Sequence, residues 1–208
     1  MKLTPEQLGN LTACGIVRRA HDFAELAHQG QFRSNKVTPY FSHPERVVSV
    51  LEQVGITDDE ILAAAFLHDT IEDCDVSEDD IFTLFGDRVL RCVVQMTNKI
   101  EGDNHEREHG QVSFLDKHAS LVKHCQEMDQ DAKWIKLADR LDNLRDAKSN
   151  WRPKRTKRYA VAGYELVEAM IPWPAGSEKL VLQLLNVIYG IVPAHELFGY
   201  VLENDVRE

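Results

Sequence analysis

Apolar residues recur at helical spacing along almost the whole chain, and strand patterns are nearly absent. There are no Asn-Gly hairpin turns and no sustained alternation of apolar and polar residues. The apolar spacing predicts helices over residues 11–31, 43–54, 61–73, 81–86, 87–97, 116–148, 155–171, 180–191 and 196–202. The sequence therefore predicts an all-α protein folded as a single domain over residues 1–208.

Several of these helices carry start signals. Thr57 is followed three residues later by Glu60, and Ser77 by Asp80, which is the spacing of a capping box. Pro44, directly after His43, suits a first helical turn, where a residue without an N–H loses no helical hydrogen bond. These signals fix the expected beginnings of three helices.

The segments between helices also have expected roles. Pro39 disfavours helix before it, so Arg33–Tyr40 is predicted to be a loop. Lys99–Gly110 is the best candidate for a long mobile loop. Pro172 and Pro174 mark a break, after which a helical extension over about 172–208 is expected.

The net charge of the chain limits the classes of partner that the protein is expected to bind. The 208 residues carry a formal net charge of −10, which argues against general attraction to nucleic acid or to an anionic membrane, since both are polyanions. A small anionic substrate would need a metal ion or a local basic patch to receive it. The basic run Arg152–Arg158 is such a patch, although a solvated helix start is the simpler interpretation. A homo-oligomer is compatible with this composition.

The cysteines and the apolar segments indicate the cellular compartment of the protein. Cys14, Cys74, Cys92 and Cys125 are scattered and form no Cys-x-x-Cys pair, so reduced thiols are expected. No apolar run approaches the roughly 20 residues that span a bilayer, and the N-terminus lacks the apolar core of a signal peptide. A cytoplasmic protein is therefore predicted.

The most informative stretch is the helix predicted over 61–73. Its first half, 61–67, is apolar all round, which is typical of a buried helix. Four polar side chains follow: His68, Asp69, Glu72 and Asp73. On a helix that advances about 100° per residue, these four fall in an arc of about 140°. Burying three carboxylates and an imidazole is costly unless a divalent cation compensates their charge.

A second stretch, Lys136–Asn143, supports the same interpretation. Asp139 lies on a polar face with Lys136 and Asn143, opposite a face of leucines. His43, at the start of its own helix, approaches from a third direction. Two His and two Asp suit Mn, Fe, Co or Zn better than Ca or Mg. The pattern predicts metal-assisted hydrolysis of a phosphate ester or anhydride.

Each piece alone also has a simpler interpretation. His43 is an ordinary helix-start residue, Asp139 is part of an exposed charged face, and the acidic pair Glu72 and Asp73 is a solvated face. The order His, His-Asp, Asp on predicted helices, with an apolar run before His68, favours the metal site over these alternatives.

These motifs resemble a known family over residues 15 to 165. The matching segments are Ala27–Arg33, Pro39–Pro44, Ala64–Asp73, Phe85-Gly86 and Lys136–Arg145. They resemble the HD-domain phosphohydrolases, and within them the hydrolase domain of the RelA/SpoT homologues, especially the small stand-alone alarmone hydrolases. The resemblance implies removal of the 3′-pyrophosphate from guanosine tetra- or pentaphosphate, usually with Mn²⁺.

The resemblance also implies roles for individual residues. The metal ligands would be His43, His68, Asp69 and Asp139. The acidic pair serving the attacking water would be Glu72 and Asp73. The substrate contacts would be Arg33 on the purine, Lys36 on a phosphate or the base, and Asn143 on the ribose or base.

Two features depart from the family pattern, and the substrate stays open on residues alone. The loop from Arg33 to Pro39 is longer than in the long bifunctional enzymes, and Asp142 stands where the family often has His. With no room for a synthetase domain, the protein is expected to degrade the alarmone without making it. Another nucleotide or phosphorylated metabolite is the alternative substrate, and a non-catalytic nucleotide-binding module is the alternative class.

Overall fold

The computed structural model describes residues 15–97 and 114–197. Within these residues the helices are α1 (Ile16–Ala27), α2 (Ser42–Gln53), α3 (Asp59–Leu67), α4 (Thr70–Asp73), α5 (Glu78–Phe85), α6 (Asp87–Met96), α7 (Phe114–Glu127), α8 (Gln130–Asn150), α9 (Pro153–Ala169) and α10 (Glu178–Tyr189). The described residues contain no strand, apart from an isolated antiparallel bridge between Phe32 and Pro39. The predicted all-α class is confirmed. The predicted loop Lys99–Gly110 and most of the predicted helix 196–202 lie outside the described residues.

The described residues form two compact units. The first contains residues 15–97 and 129–139, and the second contains 114–128 and 140–197. Helix α8 contributes to both, because its residues up to Asp139 belong to the first unit and those from Arg140 onward to the second. None of the described helices is both long enough and apolar enough to cross a bilayer. The single-domain organisation stays a prediction.

Helix α3 is the centre of the first unit. It packs against α1, α2 and α6, and every residue from Ile61 to Leu67 is buried, as its all-round apolar sequence predicts. Its cap differs from the prediction: the side chain of Asp58, not of Thr57, accepts the N–H groups of Glu60 and Ile61. The capping box predicted at Ser77 and Asp80 is confirmed at the start of α5.

The helix predicted over 61–73 is interrupted, so the prediction of one continuous helix was wrong. A turn at His68 and Asp69 separates α3 from α4. The ring Nδ1 of His68 donates to the carbonyl oxygen of Ala65 at 2.8 Å, and the Thr70 hydroxyl donates to that of Leu67 at 2.7 Å. A continuous helix would pair those two carbonyls with backbone N–H groups. Side chains that compete for helical carbonyls therefore end α3 at this point.

The single helix predicted over 116–148 is likewise two helices, α7 and α8. The side-chain amide of Gln95 accepts the backbone N–H of Asp129 at 2.8 Å and donates to its carboxylate at 2.7 Å. The Asp129 carboxylate in turn accepts the N–H of Ala132 at 3.1 Å, which caps the start of α8. This cap begins α8 as a new helix, and α8 supplies the first unit with its residues up to Asp139.

The second unit contains α9 packed against α7 and α10. Pro153 occupies the first turn of α9, where it is tolerated. Gly163 allows close approach, because a Cβ built there would lie 3.3 Å from Leu144 Cδ1. The Thr156 hydroxyl donates to the carbonyl oxygen of Ala147 at 3.1 Å. These contacts anchor the start and the middle of α9 to the second part of α8.

Arg88 ties three segments of the first unit together. Its guanidinium contacts Asp58 at 2.8 Å, Glu60 at 3.0 Å and Asp131 at 2.8 Å. Arg88→Met keeps the apolar stem but leaves three carboxylates facing one another, so we expect the free energy of unfolding to fall by about 1–2 kcal/mol, allowing for partial solvent screening. The urea midpoint measures this loss.

The control for Arg88 is Arg91→Met on the same helix. Arg91 makes an exposed pair with Asp87 at 3.5 Å, and we expect its loss to change stability by less than about 0.5 kcal/mol. Equal midpoints for the Arg88 and Arg91 variants would show that the three-carboxylate contact adds nothing to stability.

Candidate metal centre

The four predicted metal ligands come together in the first unit. His43 comes from the first turn of α2, His68 and Asp69 from the turn after α3, and Asp139 from α8. The Nε2 atom of His43 lies 3.2 Å from Asp139 Oδ1 and 3.7 Å from Asp69 Oδ2. The Nε2 atom of His68 lies 3.1 Å from Asp69 Oδ2 and 3.9 Å from Asp139 Oδ1. Both imidazoles are 1% exposed.

The hydrogen bonding of His68 identifies the atom that faces the site. Its Nδ1 carries a hydrogen, because the Ala65 carbonyl that it contacts can only accept. In the neutral ring, Nε2 then holds a lone pair. That Nε2 is buried and has no hydrogen-bond partner among the described residues, although a carboxylate oxygen of Asp69 lies 3.1 Å away. A cation between this atom and the carboxylate, either a proton on Nε2 or a metal ion, satisfies both groups, and a metal ion would take the two as ligands.

The chemistry of the donor set also fits a metal ion. His43, His68 and Asp69 bring three ligand atoms within 4.8 Å of one another and can hold a metal. Burial opposes ionisation of Asp69, but the His68 imidazole outweighs it and holds the pKa of Asp69 well below its usual range. A carboxylate that stays ionised in a half-buried place is prepared to bind a cation.

Asp139 is oriented by a buried lysine. While its Oδ1 faces His43, its Oδ2 lies 3.7 Å from the Nζ of Lys136, whose side chain is 6% exposed. Burial raises the pKa of Asp139, but the contacts with His43 and Lys136 bring it below the ordinary value. Lys136 and Asp139, on the polar face predicted for this part of α8, are therefore buried at the site, whereas Asn143 on the same face is half-buried.

The acidic pair Glu72 and Asp73 lies on α4, one turn beyond the ligands. Both residues are exposed, so the expectation that the whole acidic cluster is buried was wrong. Exposure suits groups that exchange protons with solvent or with a substrate. The turn at Asp69 separates this half-buried ligand from the exposed pair.

Tyr40 is a site residue that the sequence motifs did not assign. Its hydroxyl lies 2.7 Å from Asp69 Oδ2 and 2.8 Å from Asp73 Oδ2. Burial, together with the charges of the two carboxylates, raises the pKa of Tyr40 far above its ordinary value, so the hydroxyl keeps its hydrogen. The sequence feature that could have identified Tyr40 is its position within the motif Pro39–Pro44, three residues before His43.

The loop predicted at Arg33–Tyr40 is an ordered hairpin-like turn. The N–H of Arg33 donates to the carbonyl oxygen of Thr38 at 2.8 Å, and the Asn35 side chain accepts the N–H groups of Val37 and Thr38. Lys36, at the tip, is exposed and has a φ of 60°. The backbone therefore presents this cation on a fixed turn.

The predicted substrate contacts differ in their surroundings. Arg33 is buried, with its guanidinium 5.5 Å from the centre of the Tyr40 ring. Arg33 therefore lies against Tyr40, whose hydroxyl contacts the predicted ligand Asp69. Lys36, in contrast, is solvent-exposed. Asn143 belongs to the second unit. The roles of these three residues stay predictions.

The basic run Arg152–Arg158 opens α9 in the second unit. The guanidinium of Arg155 lies 3.8 Å from the centre of the Trp151 ring, and Lys157 pairs with Glu196. Residues 152–155 are exposed. These contacts agree with the interpretation of the run as a solvated helix start.

Comparisons with known proteins cover most of the chain. The model of the HD domain family matches residues 20–165. The guanosine-3′,5′-bis(diphosphate) 3′-pyrophosphohydrolase of Danio rerio is 33% identical over 181 residues, covering 84% of this chain and 95% of the relative. The enzyme of that name from Homo sapiens is 36% identical over 157 residues, covering 73% and 82%. A solved structure described as a metazoan ortholog of SpoT that hydrolyzes ppGpp has a TM-score of 0.70 at 28% identity, covering 85% of this chain and 96% of that one.

Proposed function

Because this chain belongs to the HD-domain family, we propose that it is a metal-dependent hydrolase that removes the 3′-pyrophosphate of guanosine tetra- and pentaphosphate. The relatives named for this activity align with most of the chain. The observation that carries the proposal is the cluster of two imidazoles and two carboxylates in the first unit. The products would be GDP or GTP and pyrophosphate.

The metal would be held by His43, His68, Asp69 and Asp139. A mixed nitrogen and oxygen donor set suits a divalent transition metal, and we propose Mn²⁺ as the native ion. When bound, such an ion supplies a Lewis acid that polarises a phosphoryl oxygen and makes water more acidic. Asp139 Oδ1 faces His43 and its Oδ2 lies 3.7 Å from Lys136 Nζ, and both contacts favour the ionised carboxylate.

The acidic pair would handle the protons of the reaction. Hydrolysis adds water across the bond between the ribose 3′-oxygen and phosphorus: the water oxygen goes to pyrophosphate and a proton goes to the ribose oxygen. We propose that Asp73, assisted by Glu72, takes the proton from water as the oxygen attacks. Both carboxylates are exposed on α4, where a substrate and water can reach them.

The hairpin-like turn before α2 would contact the substrate. Arg33 presents a planar guanidinium that can stack on a purine, and Lys36 presents an exposed ammonium for a phosphate. Asn143 is proposed to contact the ribose or the base. We also propose a cytoplasmic location, since no disulfide joins Cys74, Cys92 and Cys125 among the described residues, as expected in a reducing compartment.

The experiment that tests this function is product analysis with metal-stripped protein and ppGpp, with and without added Mn²⁺. We expect metal-dependent release of GDP and pyrophosphate in equal amounts. GDP alone, which lacks the 3′-pyrophosphate, is the control substrate and should stay intact. Release of orthophosphate, or no turnover by folded protein with metal bound, would contradict the proposal and call for a panel of other phosphorylated metabolites.

A further inference from the structure

Tyr40 joins two carboxylates that have different tasks in the proposed reaction. Its hydroxyl lies 2.7 Å from Asp69 Oδ2 and 2.8 Å from Asp73 Oδ2. Asp69 is a proposed metal ligand, and Asp73 is the proposed proton acceptor. We infer that Tyr40 is a positioning residue that fixes both carboxylates for hydrolysis, an inference that rests on the proposed function.

The hydroxyl is suited to this task because it has a single hydrogen and lies between two acceptors. It donates to one carboxylate at a time and keeps the other oxygen in close contact. A hydrogen bond to a charged acceptor is stronger than one between neutral groups, so both carboxylates are oriented toward the same oxygen atom. The metal ligand and the proton acceptor are thereby aligned with each other.

The Tyr40 ring is itself held on one face by His28. The two rings stack with centroids 4.7 Å apart and an angle of 23° between their planes, and His28 is 2% exposed. The guanidinium of Arg33 lies 5.5 Å from the ring centre. The position of the hydroxyl is therefore set by contacts of the ring, which a phenylalanine would preserve.

A second link runs from His28 to the acidic pair. The side-chain amide of Gln31 donates to the carbonyl oxygen of Asp73 at 2.9 Å, and its Oε1 lies 2.8 Å from the ring Nδ1 of His28. Because the amide oxygen can only accept, the Nδ1 of His28 donates to it. His28 and Gln31 thus connect the ring that stacks on Tyr40 with the backbone that carries Asp73.

The acidic pair needs such support because α4 is a single turn of four residues. So short a helix is not stable by itself, since its few hydrogen bonds do not offset the cost of ordering the backbone. Tyr40 holds the Asp73 side chain and Gln31 holds its carbonyl. The hairpin-like turn that carries Arg33 is thereby connected to the carboxylate that would accept the proton.

The test compares Tyr40→Phe with wild type and with Tyr189→Phe, which removes the same hydroxyl from an exposed ring on α10. For Tyr40→Phe we expect kcat at saturating Mn²⁺ to fall about 10- to 100-fold, the loss usual for groups that orient ligands. The KM for ppGpp should change less than about threefold, because the ring beside Arg33 remains. Calorimetric titration of the metal-free protein with Mn²⁺ should give a Kd raised about tenfold.

Four outcomes decide the matter. The inference is supported if Tyr40→Phe lowers kcat and weakens Mn²⁺ binding while KM and the thermal midpoint stay unchanged. Tyr189→Phe must then behave as wild type. Wild-type kcat and Kd overturn it, and so does a rise in KM alone, because Tyr40 would then act by binding substrate. If wild type itself does not hydrolyse ppGpp, the proposed function fails, while the Mn²⁺ titration still tests whether Tyr40 orients Asp69.

Discussion

Replacing Asp139 with alanine should remove most of the bound metal and lower ppGpp turnover by more than about 100-fold, beyond the loss typical of residues that only support a ligand. Asp139 Oδ1 lies within 3.9 Å of the Nε2 atoms of both His43 and His68. Without this carboxylate, only two buried imidazoles and Asp69 would remain as metal ligands. The buried ammonium of Lys136 would also lose the carboxylate that it contacts at 3.7 Å. His68→Ala should have the same two effects.

Metal content after gel filtration and initial rates with added Mn²⁺ check this result. The matched control is Asp146→Ala, a half-buried carboxylate two turns further along α8 that accepts a hydrogen bond from Asn150. It should keep full metal content and activity. If the Asp139 variant also kept both, the proposed ligand set would be wrong.

Replacing Asp73 with asparagine should leave metal binding intact and reduce kcat by about 100- to 10,000-fold, the range for loss of a general base. Asparagine has the same shape and still offers an oxygen to Tyr40, but it cannot take a proton from water. Glu72→Gln should act in the same direction, because the second carboxylate assists the first.

Parallel measurements of kcat and Mn²⁺ content test the role of the acidic pair. Asp75→Asn, an exposed carboxylate just beyond α4, is the control and should retain wild-type kcat. Full turnover in both the Asp73 and the Glu72 variants would exclude the pair as proton acceptors. Loss of metal in the Asp73 variant would instead assign that residue to the metal site.

The sequence predicted the helical class and the chemistry of the site because both depend on local patterns. An apolar run that is hydrophobic all round predicts a buried helix, and Ile61–Leu67 is one. His43, His68, Asp69 and Asp139 were selected by residue type and order, and the structure places their side chains within 4 Å contacts of one another. The roles assigned to them stay predictions.

The interruption of helices was not predicted because it depends on side chains that compete with the backbone. The turn after α3 is made by His68 and Thr70, whose side chains bond to helical carbonyls. The start of α8 depends on Gln95, which lies 34 residues before its partner Asp129. Helical periodicity contains no information on such distant hydrogen bonds.

Tyr40 was missed for a related reason. A tyrosine in a loop has no pattern that separates packing from function, and its importance arises only when Asp69 and Asp73 lie near its hydroxyl. Those contacts connect residues that are 29 and 33 positions apart. A motif that contains the residue indicates where to look, but the contact itself requires the fold.

The turn that ends α3 also has an electrical consequence. The peptide dipoles of its nine residues add along the helix axis and leave roughly half an elementary negative charge at its C-terminal end. His68 and Asp69 begin where that end lies, so a cation between them gains about 0.3–1 kcal/mol from the main chain. No side-chain substitution removes this contribution. A variant that lacks one ligand therefore keeps this contribution, which strengthens its cation affinity about two- to fivefold.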